Sequence, residues 1–115
     1  MKSDLPERTF LFAKEVILLS KVIDVKDIAT QVIVKQLIRS GTSIGANVEE
    51  AVGGFSKRDF TAKMGIALKE ARETRYWLRL LDKSQIVKCE LTEHAKKAEE
   101  LVNILTAIVK TSQGN

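Results

Sequence analysis

Proline, cysteine and histidine each occur once in these 115 residues, and aromatic residues make up only 5% of them. Each scarcity excludes something. The lone proline, Pro6, stands at the front, so no later residue lacks the N–H that a helix interior needs. Cys89 has no second cysteine to pair with, which rules out an internal disulfide framework and is compatible with a reducing compartment. One histidine and one cysteine supply no zinc ligand set. The Glu-x-x-His pairs of a di-iron bundle are missing too, because Leu91 stands three residues before His94. His94 also lacks a nucleophile elbow to serve, and is expected to be an exposed residue near the start of the last helix. No apolar run approaches the roughly 18 residues of a membrane span. The opening MKSDLPERTF has no hydrophobic signal core. A soluble, cytoplasmic protein is expected, with no membrane, metal, cofactor or small-molecule substrate.

Hydrophobic residues at 44% and charged residues at 30% are enough to fold a single domain, although a chain of this size buries only about two thirds of its unfolded surface. A modest monomer or an oligomer is therefore expected. Apolar spacings of three and four recur along nearly the whole chain and predict four helices, at about 7–23, 28–53, 57–83 and 91–111. Phe12, Val16, Leu19 and Ile23 carry the first, with Asp4 and Pro6 as start signals. Ile33, Leu37, Ile44, Val48 and Ala51 carry the second, which Gly53-Gly54 ends. The third starts at Ser56, with Asp59 three residues on as a weak capping box, and runs Phe60, Met64, Ala67, Ala71, Thr74, Leu78, Leu81 in heptad spacing. The fourth carries Leu91, Ala95, Ala98, Val102, Leu105 and Val109. Short connections imply antiparallel neighbours, hence an all-α, up-down-up-down four-helix bundle over 1–115. Leu101, Ile104 and Ile108 widen the apolar face of the last helix, and Trp77 lies beside the seam of the third. Two uses are open for these four: filling a bulky end of the core, or an oligomer interface.

The second helix must cross RSGTSIGANVEEA, residues 39–51, where glycines, serines and an asparagine oppose helix formation. A phosphate loop needs G-x-x-x-x-G-K-[ST] after a strand, whereas Gly41 and Gly45 are only four apart and no lysine follows. The apolar positions keep phase through the stretch, and Gln36, Ser40, Ser43, Asn47 and Glu50 form a second, polar row. A continuous helix is expected, with Gly41 and Gly45 allowing close approach to Ala67 and Ala71 of the third helix. Ser40, Ser43 and Asn47 would bond its Glu70, Glu73 or Arg72. A solvated face is the other use of such a row. Glu49, Glu50, Glu70 and Glu73 could in principle gather around a divalent metal, but glutamates among Arg39, Arg72 and Arg75 more often form ion pairs. No enzyme is indicated.

Net charge is +4, and its distribution is uneven. Residues 57–83 hold eight basic side chains against four acidic ones, while the rest of the chain balances at eleven of each. Lys69, Arg72, Tyr76, Arg79 and Lys83 recur at spacings of three and four and form one row, and Arg75 joins Arg72 in lacking an acid one turn away. Their charge can face Glu49 and Glu50, a neighbouring subunit, solvent, or the phosphates of RNA or DNA, for which guanidinium groups are well suited. Tyr76 would be a stacking ring. The alternative is a protein-interaction scaffold or assembly subunit with no nucleic-acid role.

The stretch IRSGTSIGANVEEAVGGFSKRDFTAKMGIALKEARETRYWLRLL, residues 38–81, resembles the signature of a bacterial four-helix-bundle family. That family is typified by proteins encoded in intervening sequences of 23S ribosomal RNA genes. The opening ERTFLFAKEVILL and the apolar last helix fit the same pattern. The resemblance implies an antiparallel four-helix bundle that assembles into ring-shaped homopentamers, without an established catalytic activity. A more distant likeness is to the accessory protein of diversity-generating retroelements, which is similar in fold and linked to nucleic acid.

Overall fold

The computed structural model describes residues 4–114, and these form four helices with no strand. They are α1 (Leu5–Val22), α2 (Ile28–Val52), α3 (Lys57–Ser84) and α4 (Thr92–Gln113). Local chemistry accounts for most of their ends. Pro6 falls in the first turn of α1, where its missing N–H is no loss, while Asp4 holds the N-cap position without a side-chain cap bond. Asp27 caps α2 through a 2.8 Å bond from the Thr30 N–H, and that bond holds its carboxyl below the usual carboxylate range. Gly53 ends α2, and the Ser56 hydroxyl caps α3 by accepting from the Asp59 N–H. The α3 stop has no glycine signal, because the left-handed residue there is Gln85.

The helices pack as a bundle in which α2 against α3 is the most extensive contact and α1 against α4 the thinnest. Phe12, Val16, Leu19 and Ile23 meet Leu37, Ile44 and Val48, while Met64, Ala67, Ala71, Leu78 and Leu81 close the core with Ala98, Val102 and Leu105. Ion pairs Arg8–Glu100 and Lys97–Glu15 bridge the thin α1/α4 seam over a cleft of about 200 Å³. No helix among the described residues is long and apolar enough to cross a membrane.

The stretch 39–51 is unbroken helix. Its polar side chains stay compatible with helix by bonding backward, Thr42 to the Ile38 carbonyl, Ser43 to that of Arg39, and Asn47 to that of Ser43. Two expectations therefore change. Ser43 and Asn47 bond the backbone of their own helix and not α3, and Glu50 is exposed. The glycines face α1 instead: a Cβ on Gly41 would lie 3.0 Å from a Val16 methyl, and one on Gly45 3.2 Å from the Thr9 backbone. The reason is angular. Consecutive helix residues are about 100° apart, so when Ser40 points at α3, Gly41 points away from it. Ser40 alone of the row is buried against α3, accepting a 2.9 Å bond from Thr74, whose hydroxyl also reaches the Glu70 carbonyl.

Leu101 is buried in the bundle's own core, and Ile104, Ile108 and Trp77 pack half-buried against it. Of the four residues expected at an oligomer interface, Leu101 is thus taken up by the core, while Ile104, Ile108 and Trp77 keep part of their surface exposed; α4 touches both α3 and α1, which itself calls for a wide apolar face. Much of the exposed apolar surface lies on α1 and the start of α2. Phe10 and Ile17 stand beside the α2 side of α1, Leu11, Leu18 and Val22 on its other flank, and Ile28 and Val32 continue at one end.

Candidate nucleic-acid interface

The outer face of α3 is built by spacing. Its core side is committed to Met64, Ala67, Ala71, Thr74, Leu78 and Leu81, so residues on the opposite side must face water. One stripe there reads Arg58, Ala62, Gly65, Lys69, Arg72, Tyr76, Arg79, Lys83, alternating four and three over 25 residues, with no acid in it. At 1.5 Å per residue that is about 38 Å, most of the 47 Å long dimension of the molecule. Arg58, Arg72, Arg79 and Lys83 form no ion pair among the described residues.

Arg75 leaves the group. Its guanidinium bonds Glu99 of α4 at 3.0 Å and not Glu49 or Glu50, so within the bundle its charge already has a partner. It projects toward α4, the neighbour that the spacing along its own helix does not reveal. The acids beside the stripe are likewise engaged. Arg39 of α2 bonds both Glu70, at 3.2 Å, and Glu73. Glu73 in turn accepts from the Trp77 indole at 3.1 Å, and Trp77 meets Tyr76 edge to face with centroids 4.9 Å apart. The half-exposed Tyr76 ring is thus held by a chain that begins on another helix.

The Arg39 hydrogen bond holds the Glu73 carboxyl below its ordinary value, the Trp77 bond adds to this, and Lys69 contributes charge. A depressed carboxylate stabilises the fold fully above its unfolded value, and that stabilisation is lost as pH falls through the folded one. Both side chains are partly exposed, so screening limits the pair to below about 1 kcal/mol. Arg39→Gln should lower the melting temperature by a few degrees at pH 7 and have little effect in strong acid, checked by thermal melts across pH.

Among the described residues no group of three or more His, Cys, Asp or Glu is arranged to hold a metal. Glu70 and Glu73 are drawn to Arg39 and not to Glu49 and Glu50, which face outward on α2. His94 departs from expectation: it is half-buried, and its Nδ1 is buried with no hydrogen-bond partner. Sequence reasoning also missed the apolar flanks of α1, although the run FLFAKEVILL carries more apolar residues than one stripe requires.

A model of the 23S rRNA-intervening sequence protein family matches residues 1–107. A search of curated proteins found no match. Among solved structures, the chain is similar to a protein of unknown function from the S23 ribosomal protein family of Bacteroides thetaiotaomicron VPI-5482. The two share 38% identity over 91% of this chain and 97% of that one, with a TM-score of 0.82.

Proposed function

This chain belongs to the 23S rRNA-intervening sequence protein family, and on that premise we propose that it is a non-catalytic, cytoplasmic, oligomeric bundle that binds structured RNA or DNA through the outer face of α3. One observation carries the reading: a stripe of cations about 38 Å long that lacks any acid and whose members Arg58, Arg72, Arg79 and Lys83 have no ion-pair partner among the described residues. Cations left unpaired at regular intervals suit a polyanion with regularly spaced phosphates. In this reading the cations of the stripe neutralise phosphates whatever the sequence, so recognition is of charge and shape. Fluorescence anisotropy with a structured RNA and a matched duplex DNA, between about 50 and 200 mM salt, tests this. Five phosphate contacts per subunit correspond to a log–log salt slope of about −4.5. Absence of binding at low salt overturns the proposal.

An up-down-up-down course is part of the same reading. Its support is the order of contacts: Thr61 meets Ser112 while Arg75 meets Glu99, and Arg8 meets Glu100 while Glu15 meets Lys97. As one helix advances, its neighbour recedes.

Self-association is supported by a second observation, the apolar flanks of α1. Phe10 is 62% exposed and Val22 68%, and with Leu11, Ile17 and Leu18 they leave more apolar surface in water than scattered residues would. In this reading α1 supplies the subunit contact, a ring of five copies follows from the family resemblance, and α3 faces outward with its stripe repeated around the ring. Leu18→Glu should shift the mass measured by light scattering toward monomer while the helical circular dichroism persists. An unchanged mass would remove α1 from the interface.

A further inference from the structure

The connection between α2 and α3 is Gly53-Gly54-Phe55-Ser56, and its one large side chain is not used by the fold. Phe55 is 99% exposed, the highest value among the exposed large hydrophobic residues. An apolar ring left in water is common at a mobile tip, but this tip is held from both sides. The Gly53 N–H bonds the Glu49 carbonyl at 3.0 Å and the Gly54 N–H bonds that of Ala51 at 3.2 Å. On the other side, Ser56 caps α3 through the Asp59 N–H, and its carbonyl accepts from the Phe60 N–H. The turn is tight at Gly54, where a Cβ would stand 3.3 Å from the Ala51 carbonyl oxygen. The backbone on both sides of Phe55 is hydrogen-bonded while its ring stands in water, not packed against any described residue.

What surrounds the ring restricts its partner. Lys57 and Arg58 follow two and three residues later, both exposed and neither in an ion pair among the described residues. Beside them a shallow depression between the start of α3 and the end of α4 is lined by Thr61, Ala62, Ser112 and Gln113. The surface this depression exposes is mostly carbon, so it is the two cations beside the ring, and not the depression, that restrict the partner. From Arg58 the stripe continues over Ala62 and Gly65, and around Gly65 there is open space to at least 4 Å. A flat, small-residue floor therefore joins Phe55 and its two cations to Lys69 and Arg72.

From this geometry we infer that Phe55 is a stacking platform for an unpaired nucleobase, with Lys57 and Arg58 taking the flanking phosphates and the strand continuing along Ala62 and Gly65. The inference rests on the nucleic-acid reading above and adds the ligand class: single-stranded segments such as loops and ends, or structured RNA that contains them. In a duplex the base faces are occupied by their neighbours, so only the α3 cations engage it. A single strand can use both features. Stacking on an aromatic ring is sequence-tolerant.

The test compares Phe55→Ala and Phe55→Trp with the wild type, using a fluorescein-labelled single-stranded oligoadenylate RNA and a fully paired duplex. Phe55→Ala should weaken single-strand binding about tenfold and leave duplex binding, melting temperature and assembly mass unchanged. Phe55→Trp should retain affinity, and its added tryptophan emission should be quenched by the single strand but not by the duplex, against the Trp77 baseline of the wild type. Equal losses on both ligands, a changed assembly mass, or no loss on the single strand would each overturn the inference. If the wild type binds the duplex and Phe55→Ala costs nothing on the single strand, this inference falls alone. If the wild type binds neither, the proposed function falls with it.

Discussion

Gly45→Leu should lower the melting temperature by more than about 10 °C or prevent folding, because the space a side chain would need is filled by the backbone of α1. A Cβ at this position would stand 3.2 Å from the Thr9 carbonyl carbon, its oxygen and its hydroxyl. Thr9 is itself fixed, fully buried with its hydroxyl bonded to the Leu5 and Pro6 carbonyls. A flexible side chain could move aside, but main chain within a helix cannot without shifting the whole element. Overpacking of this kind costs about 1–3 kcal/mol even where side chains alone must yield, and more against backbone. In a domain of this length each kcal/mol corresponds to roughly 4 °C. Gly65 supplies the control on the same scale. It too is a glycine inside a helix, but nothing lies within 4 Å of its missing Cβ. Gly65→Ala should therefore raise stability by up to about 1 kcal/mol, the intrinsic helix preference of alanine over glycine. Thermal or urea unfolding of the two variants reads both effects. Equal shifts would mean that the α1/α2 approach does not require Gly45.

Arg72→Glu/Arg79→Glu should have the largest effect on binding. Both residues lie in the outer stripe of α3, both are exposed, and neither has an acid partner among the described residues whose loss would disturb the fold. Removing two phosphate contacts should make the log–log salt slope shallower by about two, and the added negative charges should weaken affinity further at low salt, by about a hundredfold. The melting temperature should stay within a few degrees. Arg75→Gln separates a specific stripe from bulk charge. That residue is adjacent in sequence but paired to Glu99, so its loss should leave the salt slope unchanged and cost less than about 1 kcal/mol of stability. If Arg75→Gln and the double variant reduce binding in proportion to their charge alone, the interface is not the stripe.

The stripe and the glycines differ in how far they can be read from residues alone. Spacing of three and four finds the α3 seam, from Met64 to Leu81, because a helix that buries one face repeats it every turn. The same spacing finds the two rows of α2 but not the neighbour that each row faces. Ser40 meets Thr74 on α3, while Gly41 and Gly45 one turn apart receive Val16 and Thr9 of α1. Those partners are 25 to 36 positions away in sequence, and each helix takes its rotation from the whole bundle. The one-turn rule shows that Arg75 has no local acid, and cannot show that Glu99 of α4 waits beside it. Apolar periodicity is equally silent on whether a surplus stripe is core or surface. Leu101 and the flanks of α1 read alike, yet Leu101 is buried and Phe10 is not.

The sequence by itself determined that this is a helical protein of four segments, where α2 and α3 are capped, that residues 39–51 continue as helix, and that the basic excess lies on the third segment. All of these depend on interactions within about one turn of a residue, and such interactions follow from residue order. Only the tertiary structure decided that the glycines admit α1, that Arg39 and Glu99 occupy Glu73 and Arg75, and that Phe55 stands exposed just before a cationic stripe. Those outcomes depend on how the helices are rotated against one another, and rotation is settled by the packing of all four together.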